Sequence, residues 1–237
     1  MYATSAAGAN ISSDPTGKTY VGIKVDTSET ASTTPGDYTW NKYIGDDKFI
    51  KFLEHYGCEL PLAVVKMRFI GAICSPNMEL RPADVINSFW AKGKEPRLQT
   101  QKEADLFFKF FMGLWDEMFS FMQINKIRLS EQTLKEKEDV ENYCLVRYNE
   151  IENGFVEGFW GGKSDLKIPS FIAELMDSLS ELADVYAYMP EKAEKAKNFE
   201  AIKKALLDTD KMVEKSFAFV IENLVLPKIN ELRRTVN

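Results

Sequence analysis

From residue 48 onward, apolar side chains recur three and four residues apart, and that spacing commits most of the chain to α-helix. The strongest case begins at Thr100, which with Glu103 has capping-box spacing. Behind it, Phe107, Phe111, Leu114, Trp115, Met118 and Met122 share one face, while Phe108, Phe110, Phe119 and Phe121 fall off it. A helix that is apolar on more than one side is either central to a large core or in contact with a partner.

Other helices follow from their punctuation. Asp46 and Asp47 can cap a helix through KFIKFLEHY, which Gly57 ends. Pro61 suits the first turn of a buried helix over 62–73, and Pro82 opens another that carries Val85, Ile86, Phe89 and Trp90. Thr133 and Glu136 form a second capping box, ahead of a stripe of Val140, Cys144, Tyr148 and Ile151 that runs toward Gly154. Pro169 opens a helix with Phe171, Ile172, Leu175, Met176, Leu179, Leu182 and Tyr186. Pro190 separates it from a charged helix, and Asp208 or Asp210 can cap the last one, which Pro227 should kink. The expectation is a mainly α chain of about eight helices, with essentially no strand after residue 48.

Residues 1–47 are different. They contain no Leu and no Phe but thirteen Ser or Thr, and all sixteen Phe lie beyond them. TYVGIKV (19–25) and YTWNKYI (38–44) read as two strands around a Pro35-Gly36 turn, a short β-hairpin-like segment. Two strands alone are marginal in water, so this piece docks, joins other chains or stays partly disordered. The expected division is therefore 1–47 and 48–237. The stretch from Gly17 to Asp47 resembles a small module of bacteriophage tail-fibre and tail-tip proteins, which implies a virion-associated origin for this segment.

Two stretches of the helical part share one shape. Phe69-Ile70-Gly71-Ala72 precedes Pro82 by 13 residues, and Phe155-Val156-Glu157-Gly158 precedes Pro169 by 14. Each is a helix with small residues, a loop, and a helix restarted by proline, and together they should close one shared interior. With Phe69, Gly71, Ser75-Pro76, Pro82 and Trp90 in the first unit and Gly154, Phe155 and Gly158 in the second, residues 49–235 resemble the YecA/YgfB-like family (UPF0149). The resemblance implies an all-helical fold, dimers in some members and no defined biochemical role. Many members end in a Cys-rich zinc tail similar to that of the SecA translocation motor. This sequence ends INELRRTVN, so a zinc-linked role is not expected.

The remaining motifs favour plain structural readings. Net charge is −6, against broad attraction to nucleic acid. No apolar run approaches the roughly 20 residues of a membrane helix, and no basic region with an apolar core opens the chain as a secretory signal would. Cys58, Cys74 and Cys144 are odd in number and widely spaced, as expected of reduced thiols in the cytoplasm. GFWGGKS (158–164) is one residue short of a phosphate loop and follows a helix rather than a strand. His55 is the only histidine, so metal sites and histidine-based triads would all hang on it, and a surface role is expected. Glu138, Asp139 and Glu141 read as a solvated helix face rather than a metal cluster. LRR (232–234) suits the end of a helix dipole. No catalytic, cofactor or metal residues and no small-molecule substrate emerge. The expectation is a non-enzymatic cytoplasmic protein with a protein partner or as a homodimer, its interaction surface at Phe108, Phe119, Phe121 and Trp160. The alternative is a virion-associated structural or adaptor protein.

Overall fold

The computed structural model describes residues 1–3, 7–13, 20–23, 32–42, 45–123, 127–163 and 165–227. The chain is mainly helical. It forms two compact units, and compactness divides it otherwise than composition does. One unit holds Met1–Leu62 with Pro82–Ile124, the other Ala63–Arg81 with Asn125–Asn237. The composition break at residue 47 falls inside the first.

In the first unit, short strands β1 (Tyr2–Ala3), β2 (Tyr20–Ile23) and β3 (Thr39–Lys42) pair antiparallel in that order, with Val21 opposite Asn41. Residues 24–31, most of the expected connecting loop, lie outside the described residues, as do 43 and 44. Helix α1 (Asp46–His55) has Gly45, not an aspartate, at its N-cap. Asp46 and Asp47 sit in the first turn, where their charge suits the helix dipole. The chain turns out of α1 at Gly57, whose φ of +65° suits glycine, and Cys58 N–H bonds back to the Leu53 carbonyl at 2.9 Å. Helix α3 (Pro82–Asn87) and helix α4 (Gln101–Gln123) complete the unit. The Thr100 cap of α4 forms, with Glu103 N–H donating to Thr100 Oγ1 at 3.1 Å, while the returning Glu103 Oε2 accepts from Gln99 N–H at 2.6 Å, one residue before the position a capping box uses.

An aromatic core joins these helices. Phe49 and Phe52 of α1 meet Phe107 and Phe111 of α4, with Phe89 and Trp90 against Phe111. Trp90 is anchored by its indole N–H, which donates to the Tyr56 carbonyl at 2.9 Å. Phe110, off the main stripe of α4, stacks on Phe52 with ring centroids 4.5 Å apart. It is therefore part of this core rather than spare surface.

In the second unit, α2 (Leu62–Cys74) is buried on most sides, with Val65, Phe69 and Ile70 at its centre. Helix α5 (Asp139–Tyr148) does not stop at Gly154. It continues through a π-helical segment (Asn149–Val156) into α6 (Glu157–Trp160), which ends at Gly161 with φ +54°. Gly154 does not terminate the helix because it is a contact: a Cβ there would lie 2.7 Å from Met67 Cβ. The approach is closer still nearby. A Cβ on Gly71 would lie 2.1 Å from the Phe155 carbonyl oxygen, and one on Gly158 would lie 2.2 Å from that of Arg68. The two helices thus touch backbone to backbone. The wider π turn also presents the Asn153 carbonyl to Arg68, which donates from Nε at 2.9 Å and Nη2 at 2.6 Å.

Helix α7 (Ser170–Lys195) packs along α5 and its π continuation, and α8 (Phe199–Val220) packs on α7. Pro190 does not end α7. The helix runs through it because Met189 and Ala193, on either side, are buried. Asn198 caps α8 by accepting from Ala201 N–H, so Asp208 and Asp210 lie inside the helix and cap nothing. The second capping box is also displaced. Asp139 Oδ2 accepts from Lys135 N–H at 2.6 Å and Glu136 N–H at 3.1 Å, and α5 starts only there. Of the repeated helices, α2, α6 and α7 belong to the second compact unit and α3 to the first.

The glycine contacts carry a stability prediction. Gly71→Ala should lower the urea unfolding midpoint through a loss of about 1–3 kcal/mol or more in unfolding free energy, because backbone atoms cannot move aside as a side chain can. Gly36→Ala, whose Cβ meets nothing within 4 Å, should leave the midpoint nearly unchanged.

Candidate functional site: a closed tyrosine, arginine and carboxylate cluster

The most polar interior point of the second unit is built by three helices. Tyr143 and Arg147 lie one turn apart on α5, and Glu150 follows in the π segment, so the three line one side of a continuous helix. Tyr186 comes from α7 and Asp210 from α8. The Asp210 carboxylate collects them. Its Oδ1 accepts the Tyr186 hydroxyl at 2.7 Å, and its Oδ2 accepts the Tyr143 hydroxyl and Arg147 Nε, the latter at 3.2 Å. Arg147 Nη1 donates to Glu150 Oε2 at 2.7 Å, and Glu150 Oε1 accepts Ser130 N–H at 2.8 Å. Tyr143, Arg147, Glu150 and Tyr186 are all buried.

Electrostatics follow from that geometry. Burial alone would disfavour the charged Arg147, but Asp210 and Glu150 outweigh it and hold the guanidinium protonated. Burial, reinforced by the bond to Asp210, raises the pKa of both Tyr143 and Tyr186 and keeps their hydroxyls as donors. Cys144, next to Tyr143, is pushed up to about 12 by burial and then by the Asp210 charge, so its thiol is a poor nucleophile at neutral pH. Each group in the cluster bonds another member or the adjacent backbone. Chemically the arrangement is a lock that fixes three helices.

The residues singled out from sequence lie elsewhere. Phe108 is 39% exposed, with Phe107 edge-on beside it, and Phe119 and Phe121 are half-buried. Trp160 is half-buried and meets Phe159 edge-on at 5.4 Å. His55 is exposed in the last turn of α1. Lys163, in the glycine-rich loop, is ion-paired with Glu79, and its neighbour Ser164 lies outside the described residues. Glu138 and Glu141 are exposed and Asp139 is half-buried, and no group of three potential metal ligands occurs among the described residues. No helix among them is long and apolar enough to cross a membrane. Sequence reasoning missed the cluster itself. The signal was Tyr143, Arg147 and Glu150 spaced one turn and two turns apart beside a buried stripe.

No family model matches the chain, and no curated protein or solved structure matches it significantly.

Two measurements test the lock. Asp210→Ala leaves two buried hydroxyls and part of a buried guanidinium unpaired, and should cost about 3–5 kcal/mol in urea unfolding. Asp208→Ala, two residues away but exposed, should change little. The tyrosines set an alkaline limit. Their pKa is higher folded than unfolded, so their contribution is complete below about pH 10 and falls as pH rises above it, by about 1.4 kcal/mol per pH unit for each. Cys144, raised in the same way, adds a third such group, so Tyr143→Phe should remove about one third of the slope read from urea unfolding between pH 9 and about 11.5.

Proposed function

We propose that this chain is a non-enzymatic, cytoplasmic helical protein of the YecA/YgfB-like type that acts by binding another protein or a second copy of itself. The observation that carries the reading is the outer stripe of α4. Phe108, Met112, Trp115 and Phe119 recur at i, i+4, i+7 and i+11, and every one keeps solvent exposure. Leu106, 51% exposed, lies on the other side of α4 and is not part of this stripe. A contiguous, mostly aromatic stripe on a helix already anchored by its neighbouring face fits a helical recognition surface, each large side chain contributing about 1.5–3 kcal/mol when covered. Phe121, two residues beyond Phe119, points to another side of α4, and Trp160 offers a separate smaller patch.

Further support comes from the closed cluster around Asp210, which reads as architecture rather than chemistry. The kinship is supported by the glycine-centred helix contacts at Gly71 and Gly158, two positions on which the resemblance rests. The reading includes about eight helices and a hairpin in the first segment, in keeping with the antiparallel pairing of β2 and β3. Free thiols at Cys58, Cys74 and Cys144 suit a reducing compartment.

A photo-crosslinking amino acid at position 108 or 119, in the cells that make the protein, should trap one discrete adduct or a covalent dimer. The same group at the exposed Lys204 position of α8 should trap none. Equal labelling from all three positions would overturn the assignment of α4 as the recognition surface.

A further inference from the structure

A cleft of about 240 Å³ opens between α5 and α7. Glu141, Leu145 and Tyr148 line it from one helix, and Tyr186, Ala187 and Pro190 from the other. Cys144 and Tyr186, both fully buried, close its inner end. It is small for a drug-sized molecule but has room for a compact body of about ten heavy atoms.

The lining has a consistent polarity. Most of it is apolar, and neither lysine nor arginine contributes. Its polar groups are mainly acceptors, with the Tyr148 hydroxyl able to donate as well as accept. Glu141 supplies an exposed carboxylate at the rim. Pro190 has no N–H, so the Tyr186 carbonyl one turn earlier lacks its usual helical donor. The Tyr186 hydroxyl is committed to Asp210 and offers the cleft only its ring. Behind the wall, Arg147, Glu150 and Asp210 carry one positive and two negative charges, and the Asp210 field is felt at Cys144 on the cleft wall. An anion would meet this field with the Tyr148 hydroxyl as a donor but with no cationic group. A neutral alcohol would gain burial and could donate one hydrogen bond, but would gain nothing from the negative field.

We infer that the cleft between α5 and α7 is a binding site for a small protonated amine with an apolar body. The body packs against Leu145, Ala187 and Pro190, and the ammonium lies at the acceptors, with the Tyr148 ring available for a cation–π contact. This site is independent of the α4 stripe.

The test uses the full chain, isotope-labelled, with three probes of one shape titrated by amide NMR: 2-phenylethylamine, 2-phenylethanol and phenylacetate. The amine should shift the Leu145 and Ala187 amides saturably, the alcohol should bind about three- to tenfold more weakly, and the carboxylate should not bind. Glu141→Gln should weaken the amine by a similar factor and leave the alcohol unchanged. Pro190→Ala, which restores a donor to the Tyr186 carbonyl, should also weaken the amine. Leu145→Trp fills the cleft from a position 59% exposed, so it should fold normally and abolish binding. Equal affinity for amine and alcohol, shifts that survive Leu145→Trp, or no saturable shift with the amine up to about 10 mM would each overturn the site.

Discussion

One carboxylate organises the second unit. Asp210 sits in mid-α8 and draws hydroxyl donors from α5 and α7 onto its two oxygens, while Arg147 closes the set from α5. A carboxylate removed from water costs several kcal/mol unless its lone pairs are met. Here they are met only when three helices are in register. A slip of one turn along α7 or α8 would strand a buried charge or two hydroxyls. The cluster thus selects one arrangement from the many that apolar stripes alone would tolerate, since Ile172, Met176, Val213 and Phe217 could pack in more than one register. Glu150 extends the same logic outward by holding the Ser130 N–H, which ties the segment before α5 to the cluster.

The glycine crossing answers a different constraint. Helices with ordinary side chains pack with axes about 8–10 Å apart. Gly71, Gly154 and Gly158 remove side chains at successive turns and let α2 lie closer to the α5 continuation. So close a contact buries backbone and needs polar compensation. The π segment supplies it, because its widened turn frees the Asn153 carbonyl for the two N–H groups of Arg68. An arginine inside a mostly apolar helix, which sequence shows only as an interruption, is therefore the donor that this crossing requires.

What the sequence disclosed and what it hid divide along range. Local chemistry was legible. The cap at Thr100, the start at Pro82 and the exit at Gly57 depend on residues within one turn, and each forms as expected. Long-range polar pairing was not. Asp210 reads as a cap or a surface acid because its tyrosine partners lie 67 and 24 residues away. Pro190 misleads for the same reason, since tertiary burial on both sides overrides the local cost of the missing bond. The π segment has no compositional mark, so α5 seemed to end at the glycine that in fact seats Met67. For Phe110 the sequence left core and partner contact open, and the ring of Phe52, from another helix, decides for the core.

Pro190 links the architecture to the cleft. A proline in a helix interior ordinarily costs about 3 kcal/mol and kinks the axis. At this position α7 is held by Tyr186 one turn before and Ala193 one turn after, both buried, so the helix cannot break. The strain is absorbed locally, and the face that carries the proline ring does not close against α5. That leaves an apolar cleft with an under-used carbonyl beside the most negatively charged interior point of the unit. An alanine at 190 would supply the missing donor, and the cost of proline there is offset by no core contact as extensive as those of its buried neighbours Met189 and Ala193. The lock around Asp210 supplies the rigidity that lets the cleft persist, because Tyr186 belongs to both and cannot swing in to fill the space without giving up its bond to the carboxylate.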